Sequence, residues 1–194
     1  MKELHFTDTY EIVGKLFKHC LSSYRHSQRV GDELYRFANY LKMSDLDLIY
    51  LVGLTHDIGK LHIPETLLNK KERLTLEEFE RIKLHTEYGQ EIIKGIKELP
   101  DEFSSIVKFH HENYDGTGYY GQSGKDIPLL ARMIRIIDSY DTMLHGRIYQ
   151  TSKTQFDVIT EICSLSGKHY DPELTAEYKD FLNERYYLNQ KTGS

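Results

Sequence analysis

Apolar residues recur every three to four positions along most of this chain, which is the spacing of amphipathic α-helices. We predict helices over eight stretches: 8–21, 22–41, 46–57, 75–96, 101–111, 129–144, 153–166 and 172–188. A short helical turn is expected at 64–69. No stretch has the alternation of a β-strand, and there is no internal repeat or linker. The sequence therefore predicts a single all-α domain, 1–194, built as a helical bundle of about seven to eight helices.

Local signals predict where several of these helices begin and end. Ser22 or Ser23 is suited to cap the second helix, because a hydroxyl can accept a free N–H of the first turn. Gly59 is predicted to end the third helix, since glycine favours the C-terminal cap. The TLEE segment at 75–78 is a capping box, and it should open one long helix that continues to about residue 96.

Glycine residues indicate one long loop and one close contact between elements. The stretch 113–128 contains four glycines and ends in a proline. This predicts a glycine-rich active-site loop, because a loop of this length in a compact domain is usually functional. Gly89 lies one helical turn after His85, so another element can approach the backbone closely there.

The composition indicates a globular protein without a strongly basic face. The chain has 194 residues, of which 39% are hydrophobic and 28% charged, with a net charge of -5 and a pI near 6.1. Binding of DNA or long RNA usually needs a basic surface, so we expect neither as a partner. The negative net charge is still compatible with a small anionic substrate, because bound metal ions would reverse the charge at the site.

Targeting and redox signals favour the cytoplasm. No apolar run approaches the roughly 18 residues that a membrane span needs, and the N-terminus lacks the core of a signal peptide. The two cysteines, Cys20 and Cys163, both lie in predicted helices and are interpreted as free thiols. We therefore expect a cytoplasmic protein that does not bind a membrane.

Histidines and aspartates concentrate on the inward faces and at the ends of the predicted helices. The set comprises His26, His56, Asp57, His85, His110, His111 and Asp138. Taken singly, each histidine is more often a core or surface residue than a ligand, and Asp138 is suited to accept a hydrogen bond inside a bundle. Taken together, they supply imidazole and carboxylate ligands for two six-coordinate ions, and buried carboxylates need such partners. The absence of thiolates favours two divalent ions of iron or manganese, with nickel, magnesium or zinc as alternatives.

Three segments at specific spacings carry a family resemblance. They are HDIGK at 56–60, HHENYDGTGY at 110–119 and IPLLARMIRIIDSYDTM at 127–143. Over residues 22–180 the chain resembles the HD-GYP branch of the HD metal-dependent phosphohydrolases, the cyclic di-GMP phosphodiesterases. Residues 1–21 would then be an extra N-terminal helix, and 181–194 the end of the last helix and a tail.

The resemblance implies a binuclear metal site. One ion would be held by His26, His56, Asp57 and Asp138, and the other by His85, His110 and His111, with Asp57 bridging the two. Lys60 would act with Asp57 in catalysis and hold or protonate the phosphate. Gly118, Tyr119 and Arg147 would contact the substrate, the tyrosine by shaping the nucleotide pocket. A solvated lysine, a loop packing residue and a surface charge stay open as alternatives for Lys60, Tyr119 and Arg147.

Three positions depart from the family pattern. Ser22 stands where members with a third metal carry a glutamate, so we expect two ions. The GYP tripeptide reads Gly118-Tyr119-Tyr120, and without proline one backbone dihedral angle is no longer fixed. Gln150 stands where a second phosphate-binding cation often lies. The metal ligands are therefore complete, whereas the substrate contacts are altered.

The resemblance implies hydrolysis of cyclic di-GMP to linear pGpG, with GMP as a further product, by a hydroxide bridging the two metal ions. Two alternatives stay open. The altered substrate contacts favour an HD phosphohydrolase acting on another nucleotide or cyclic dinucleotide. The family's frequent association with signalling domains favours a non-catalytic, metal-containing nucleotide sensor. A homodimer or a signalling-protein partner is compatible with each of these.

Overall fold

The protein is described by a computed structural model that covers residues 7–146 and 153–192, with side chains as far as residue 185. These residues form ten α-helices: α1 Thr7–His19, α2 Leu21–Tyr40, α3 Leu46–Thr55, α4 Glu65–Leu68, α5 Leu76–Lys83, α6 His85–Lys94, α7 Glu102–Phe109, α8 Leu129–His145, α9 Gln155–Ser164 and α10 Pro172–Thr192. Two 3-10 helices, Ile58–His62 and Gly124–Asp126, lie between them. The described residues contain no strand, so the all-α prediction is confirmed. None of these helices is long and apolar enough to cross a membrane.

Helices α2, α3 and α8 form the centre of the bundle. Helix α2 packs against both α3 and α8, and its inner residues Val30, Leu34 and Phe37 are fully buried. The α2–α3 contact is close because glycine faces glycine: a Cβ on Gly53 would lie 2.8 Å from Gly31 Cα. This packing brings the chain around 56, at the end of α3, next to α2 and α8.

The beginnings of two helices test the capping predictions. The prediction for Ser22 or Ser23 is wrong, because α2 begins at Leu21 and only Cys20, extended and 1% exposed, separates it from α1. The two hydroxyls instead lie 3.3 and 3.2 Å from the Cys20 sulfur. The capping box at Thr75 is confirmed, since the Glu78 N–H donates to its hydroxyl at 3.2 Å and its own N–H donates to the Glu78 carboxylate.

The single long helix predicted over 75–96 is two helices, α5 and α6, which explains why nine helices of eight residues or more are described rather than seven or eight. The break lies at Leu84. The His85 ring bonds the Ile82 carbonyl at 2.7 Å, and the Thr86 hydroxyl donates to the Lys83 carbonyl at 3.0 Å. Side chains therefore take carbonyls at the end of α5 that the backbone of a continuous helix would use.

Gly59 does not end the third helix as predicted, because α3 already ends at Thr55 and Gly59 lies in the following 3-10 helix. There it packs against α6. A Cβ on Gly59 would lie 1.8 Å from the His85 carbonyl oxygen and 2.4 Å from the Gly89 nitrogen. The close approach predicted at Gly89 is confirmed, and the element that approaches is the turn after His56 and Asp57.

Candidate metal centre

Three histidines at helix ends share one geometry. His56, His85 and His110 each place Nδ1 against the carbonyl oxygen three residues earlier, at 2.7, 2.7 and 2.6 Å. A carbonyl only accepts, so each Nδ1 carries the proton and each Nε2 presents a lone pair. This is how backbone carbonyls orient metal-binding histidines in proteins.

Asp57 lies at the centre of these lone pairs. Its Oδ1 is 3.2 Å from His85 Nε2 and 3.9 Å from His110 Nε2. Its Oδ2 is 3.5 Å from His56 Nε2 and 3.8 Å from His26 Nε2. The two oxygens of one carboxylate therefore face two different groups of histidines.

Asp138 and His111 complete this arrangement, which we call the histidine–aspartate cluster: His26, His56, Asp57, His85, His110, His111 and Asp138. Asp138 Oδ1 lies 3.0 Å from His26 Nε2, and its Oδ2 lies 3.9 Å from His111 Nδ1. All seven residues expected as ligands from the sequence are thus brought together from five parts of the chain. Lys60 also lies at the cluster, donating from Nζ to Asp57 Oδ2 at 2.5 Å.

Burial and neighbouring charges set the protonation of the cluster. Burial alone would raise the pKa of Asp57, but Lys60 and His56 hold it well below its usual value. Burial likewise opposes ionisation of Asp138, whose pKa His26 keeps well below the ordinary range. Burial and adjacent imidazoles lower the pKa of His110 well below 6.5. The carboxylates are therefore charged and this imidazole is neutral, as metal ligation requires.

The donor atoms fit divalent cations. Asp57 Oδ1 and His56 Nε2 are buried and have no hydrogen-bond partner among the described residues. His85 Nε2 and His110 Nε2 stand 3.4 Å apart although both present lone pairs. Acceptors facing one another in a buried space are unfavourable unless a cation lies between them.

Two overlapping groups could each hold an ion, with their ligand atoms all within 4.8 Å of one another. They are Asp57 with His85, His110 and His111, and Asp57 with His26 and His56. Asp57 is the member that both groups share. Nitrogen and carboxylate ligands without a thiolate suit a divalent ion such as iron or manganese.

The substrate contacts expected from the sequence are partly described. The Tyr119 ring lies beside the His111 ring, with centroids 4.9 Å apart, and Lys83 Nζ is 5.1 Å from the Tyr119 centroid. A Cβ on Gly118 would lie 2.5 Å from Glu112 Cα, so this glycine lets the loop pack onto the end of α7. Arg147 and Gln150 lie outside the described residues.

Glu112 has a different role from the one that its sequence position suggests. Beside His110 and His111, it is readily interpreted as a carboxylate that orients the metal histidines. Its side chain is buried and instead accepts the N–H groups of Tyr120 at 2.6 Å and Gly121 at 3.1 Å. Glu112 therefore holds the glycine-rich loop to the end of α7.

Asp141 is a site residue that the sequence did not assign. Its Oδ2 lies 2.7 Å from His26 Nδ1, and Arg29 donates to both of its oxygens at 2.7 and 2.8 Å. It follows Asp138 by one turn of α8, as Arg29 follows His26 on α2. This equal spacing on the two helices was the one feature of the sequence that could have indicated a role for Asp141. It indicates a contact between Asp141 and Arg29 only when α2 and α8 are known to be neighbours.

Replacing Asp141 with asparagine should weaken metal binding about 10- to 100-fold while leaving the fold intact, because the carboxylate that orients His26 is lost. Equilibrium titration of the metal-free variant with Mn²⁺, compared with the unchanged chain, measures this. Asp126→Asn, at an exposed position, is the control. An unchanged affinity for both ions would show that Asp141 does not orient the ligand.

Comparison with known proteins assigns the family. A family profile described as HD domain matches residues 15–174. The chain is 36% identical over 176 residues to a cyclic di-GMP phosphodiesterase of Thermotoga maritima, covering 88% of this chain and 48% of the relative. It is 34% identical over 153 residues to 3'3'-cGAMP-specific phosphodiesterase 2 of Vibrio cholerae, covering 77% of this chain and 29% of the relative. The chain thus spans about half the length, or less, of these relatives.

Solved structures show the same fold. The HD domain of an L. monocytogenes phosphodiesterase in complex with cyclic-di-AMP matches with a TM-score of 0.67 at 21% identity, covering 93% of this chain and 96% of that one. An HDG"Y"P protein from Bdellovibrio bacteriovorus matches with a TM-score of 0.66 at 21% identity, covering 82% of this chain and 52% of that one. The chain belongs to the HD domain family. The relatives named cyclic di-GMP phosphodiesterases agree with the resemblance of its motifs to the HD-GYP branch of that family.

Proposed function

We propose that this chain is a metal-dependent phosphodiesterase that hydrolyses cyclic di-GMP to linear pGpG at a binuclear site. The observation that carries the proposal is the position of Asp57, whose two buried oxygens face two different groups of histidine lone pairs. Membership of the HD family and the cyclic di-GMP phosphodiesterases among the relatives support the same reaction.

The chemistry follows from the charge of the substrate. A phosphodiester resists hydrolysis because its negative charge repels an anionic nucleophile. Divalent ions held by the histidine–aspartate cluster would neutralise phosphate oxygens and make a water molecule acidic enough to lose its proton near neutral pH. The backbone carbonyls bonded to His56, His85 and His110 keep the ligand nitrogens aimed at the ions without any rearrangement.

Lys60 is the proposed proton donor. Its ammonium group bonds to Asp57 Oδ2, and its side chain is 20% exposed, whereas Asp57 is buried. The lysine can therefore turn toward a phosphate oxygen or the departing ribose oxygen while it stays within reach of the cluster. Arg147, carried over from the family pattern, is proposed to contact the phosphate, and Tyr119 to form the wall of the nucleotide pocket beside His111.

A second substrate, 3'3'-cGAMP, is favoured by a specific observation. The relative that is 34% identical to this chain is named as specific for it, and two further relatives share that name. The two cyclic dinucleotides differ in one base, so the metal cluster treats their phosphates alike. Discrimination would come from the loop around Tyr119 and Tyr120.

The test is a hydrolysis panel on protein loaded anaerobically with Fe²⁺ or Mn²⁺, with the metal content measured on the same sample. Cyclic di-GMP, 3'3'-cGAMP, cyclic di-AMP, pGpG and mononucleotides are compared by kcat/KM. We expect cyclic di-GMP to be hydrolysed fastest, with pGpG as the first product. Faster turnover of 3'3'-cGAMP would favour the second substrate. Metal-loaded protein that binds cyclic dinucleotides without hydrolysing any of them would make the chain a sensor and overturn the proposal.

A further inference from the structure

Tyr120 stands where the family's tripeptide has proline, and its backbone makes a bond that proline cannot make. The Tyr120 N–H donates to Glu112 Oε1 at 2.6 Å, next to the bond from Gly121 to Oε2. Proline has no N–H, so the loop of a GYP protein cannot be tied to this carboxylate at the same position. Glu112 is 2% exposed, and a buried carboxylate needs such donors. The departure from the motif therefore adds an anchor to the loop.

The Tyr120 side chain makes a second anchor through its phenol oxygen. The phenol oxygen lies 2.6 Å from Thr86 Oγ1. The Thr86 hydroxyl also lies 3.0 Å from the Lys83 carbonyl oxygen, and the Tyr120 phenol oxygen has a longer contact of 3.4 Å with Glu87 Oε1. Each hydroxyl has one proton and an acceptor besides its partner, so either oxygen of the Tyr120–Thr86 pair can donate. Burial raises the pKa of the Tyr120 phenol, so the phenol stays protonated. Thr86 is fully buried and directly follows His85.

The Tyr120 ring reaches a third element. Its centroid is 5.9 Å from that of Phe109 at the end of α7, and Lys108 Nζ lies 5.1 Å from the Tyr120 centroid. Tyr120 therefore contacts the start of α6 and the end of α7. These are the two places from which His85 and His110 enter the histidine–aspartate cluster.

We propose that Tyr120 is a positioning residue that fixes the loop 118–121 against α6 and α7. Its two hydrogen bonds, to Glu112 and to Thr86, determine where the neighbouring Tyr119 ring stands beside His111. Tyr120 thus sets the substrate wall of the site without touching a metal ligand. The kinetic part of this inference rests on the proposed function, whereas the loop position does not.

The test is the variant Tyr120→Phe, which removes the phenol hydroxyl and keeps the aromatic ring. Hydrogen exchange of the Gly118 and Gly121 amides should become about five- to tenfold faster, the loss expected for one buried hydrogen bond. The metal content should stay unchanged. KM for the cyclic dinucleotide should rise about five- to tenfold with kcat within about twofold, because substrate placement changes and the chemistry does not. Tyr10→Phe, at an exposed tyrosine of α1, should change none of these quantities.

Thr86 supplies a matched test of the same bond. Thr86→Val removes the hydroxyl that bonds to Tyr120. Its effect on the exchange of the loop amides should therefore not add to the effect of Tyr120→Phe in the double variant. Thr86→Ser keeps the hydroxyl and should restore exchange toward the unchanged rate. Additive effects, or unaltered loop exchange in Tyr120→Phe, would overturn the proposal. So would a uniform acceleration over all helices, which would make Tyr120 a general stability residue.

The exchange measurement is made on the protein whether or not it is an enzyme. If no cyclic dinucleotide is hydrolysed but the loop amides respond as expected, the proposed function fails and the positioning role stands. If hydrolysis occurs with unaltered loop exchange in the variant, the positioning role fails and the function stands.

Discussion

Asparagine in place of Asp57 should remove both metal ions and lower kcat/KM by at least about a thousandfold, which corresponds to about 4 kcal/mol of transition-state stabilisation. The substitution keeps the shape of the side chain but removes its charge and one oxygen. Because each oxygen of Asp57 faces a different histidine group, no other single ligand is shared in this way among the described residues. Elemental analysis after anaerobic purification, with the hydrolysis assay on the same sample, measures both effects.

Variants of the histidines give this prediction its specificity. His85→Ala and His56→Ala each remove a ligand from only one group, so each should lower the metal content from about two ions per chain toward one. Asp126→Asn, in the exposed 3-10 turn, should retain both ions and full activity. An Asp57→Asn protein that keeps two ions and turns over substrate would refute the bridging role and the proposed mechanism with it.

The chemistry of the site was readable from the sequence because it depends on residue types at helix ends. His56 follows a strongly apolar stretch and His110 an amphipathic one, so the position of each at a helix end could be predicted. His85 could not be placed that way. The apolar period of 75–96 runs through Leu84, and no glycine or proline lies within four residues of Leu84. The break coincides with hydrogen bonds of the His85 and Thr86 side chains to the preceding turn. Periodicity reports which face is buried, and it does not report where side chains compete with the backbone.

Contacts between distant segments were the part that the sequence did not contain. Asp141 and His26 are far apart in the chain and meet only because α2 packs on α8. Glu112 follows two of the histidines, which suggests a carboxylate that orients them, yet its side chain accepts from the loop amides instead. In both cases the residue type indicated a role, but the partner could not be predicted, because it depends on how the helices pack.

Gly59→Ala should destabilise the fold strongly, costing more than about 3 kcal/mol in the free energy of unfolding. The added Cβ would lie 1.8 Å from the His85 carbonyl oxygen and 2.4 Å from the Gly89 nitrogen. Both are backbone atoms, so no rotation of a side chain relieves the overlap. The turn that carries Asp57 must move away from α6, and with it the ligand group containing Asp57 and His85.

Gly14→Ala is the matched control. Apart from the chain neighbours of Gly14 and the backbone of its own helix α1, no atom of the described residues lies within 4 Å of a Cβ built there. There the same substitution should stabilise the protein by about 0.5–1 kcal/mol, since alanine restricts the unfolded chain and favours the helix. Urea unfolding measures both, and the melting temperature of Gly59→Ala should fall by roughly 6–12 °C. The two substitutions should change the free energy of unfolding in opposite directions because only Gly59 contacts the backbone of another helix. If Gly59→Ala unfolded like the unchanged chain and bound both ions, the turn after α3 would not pack on α6, and the histidine–aspartate cluster would lose the contact that brings its two halves together.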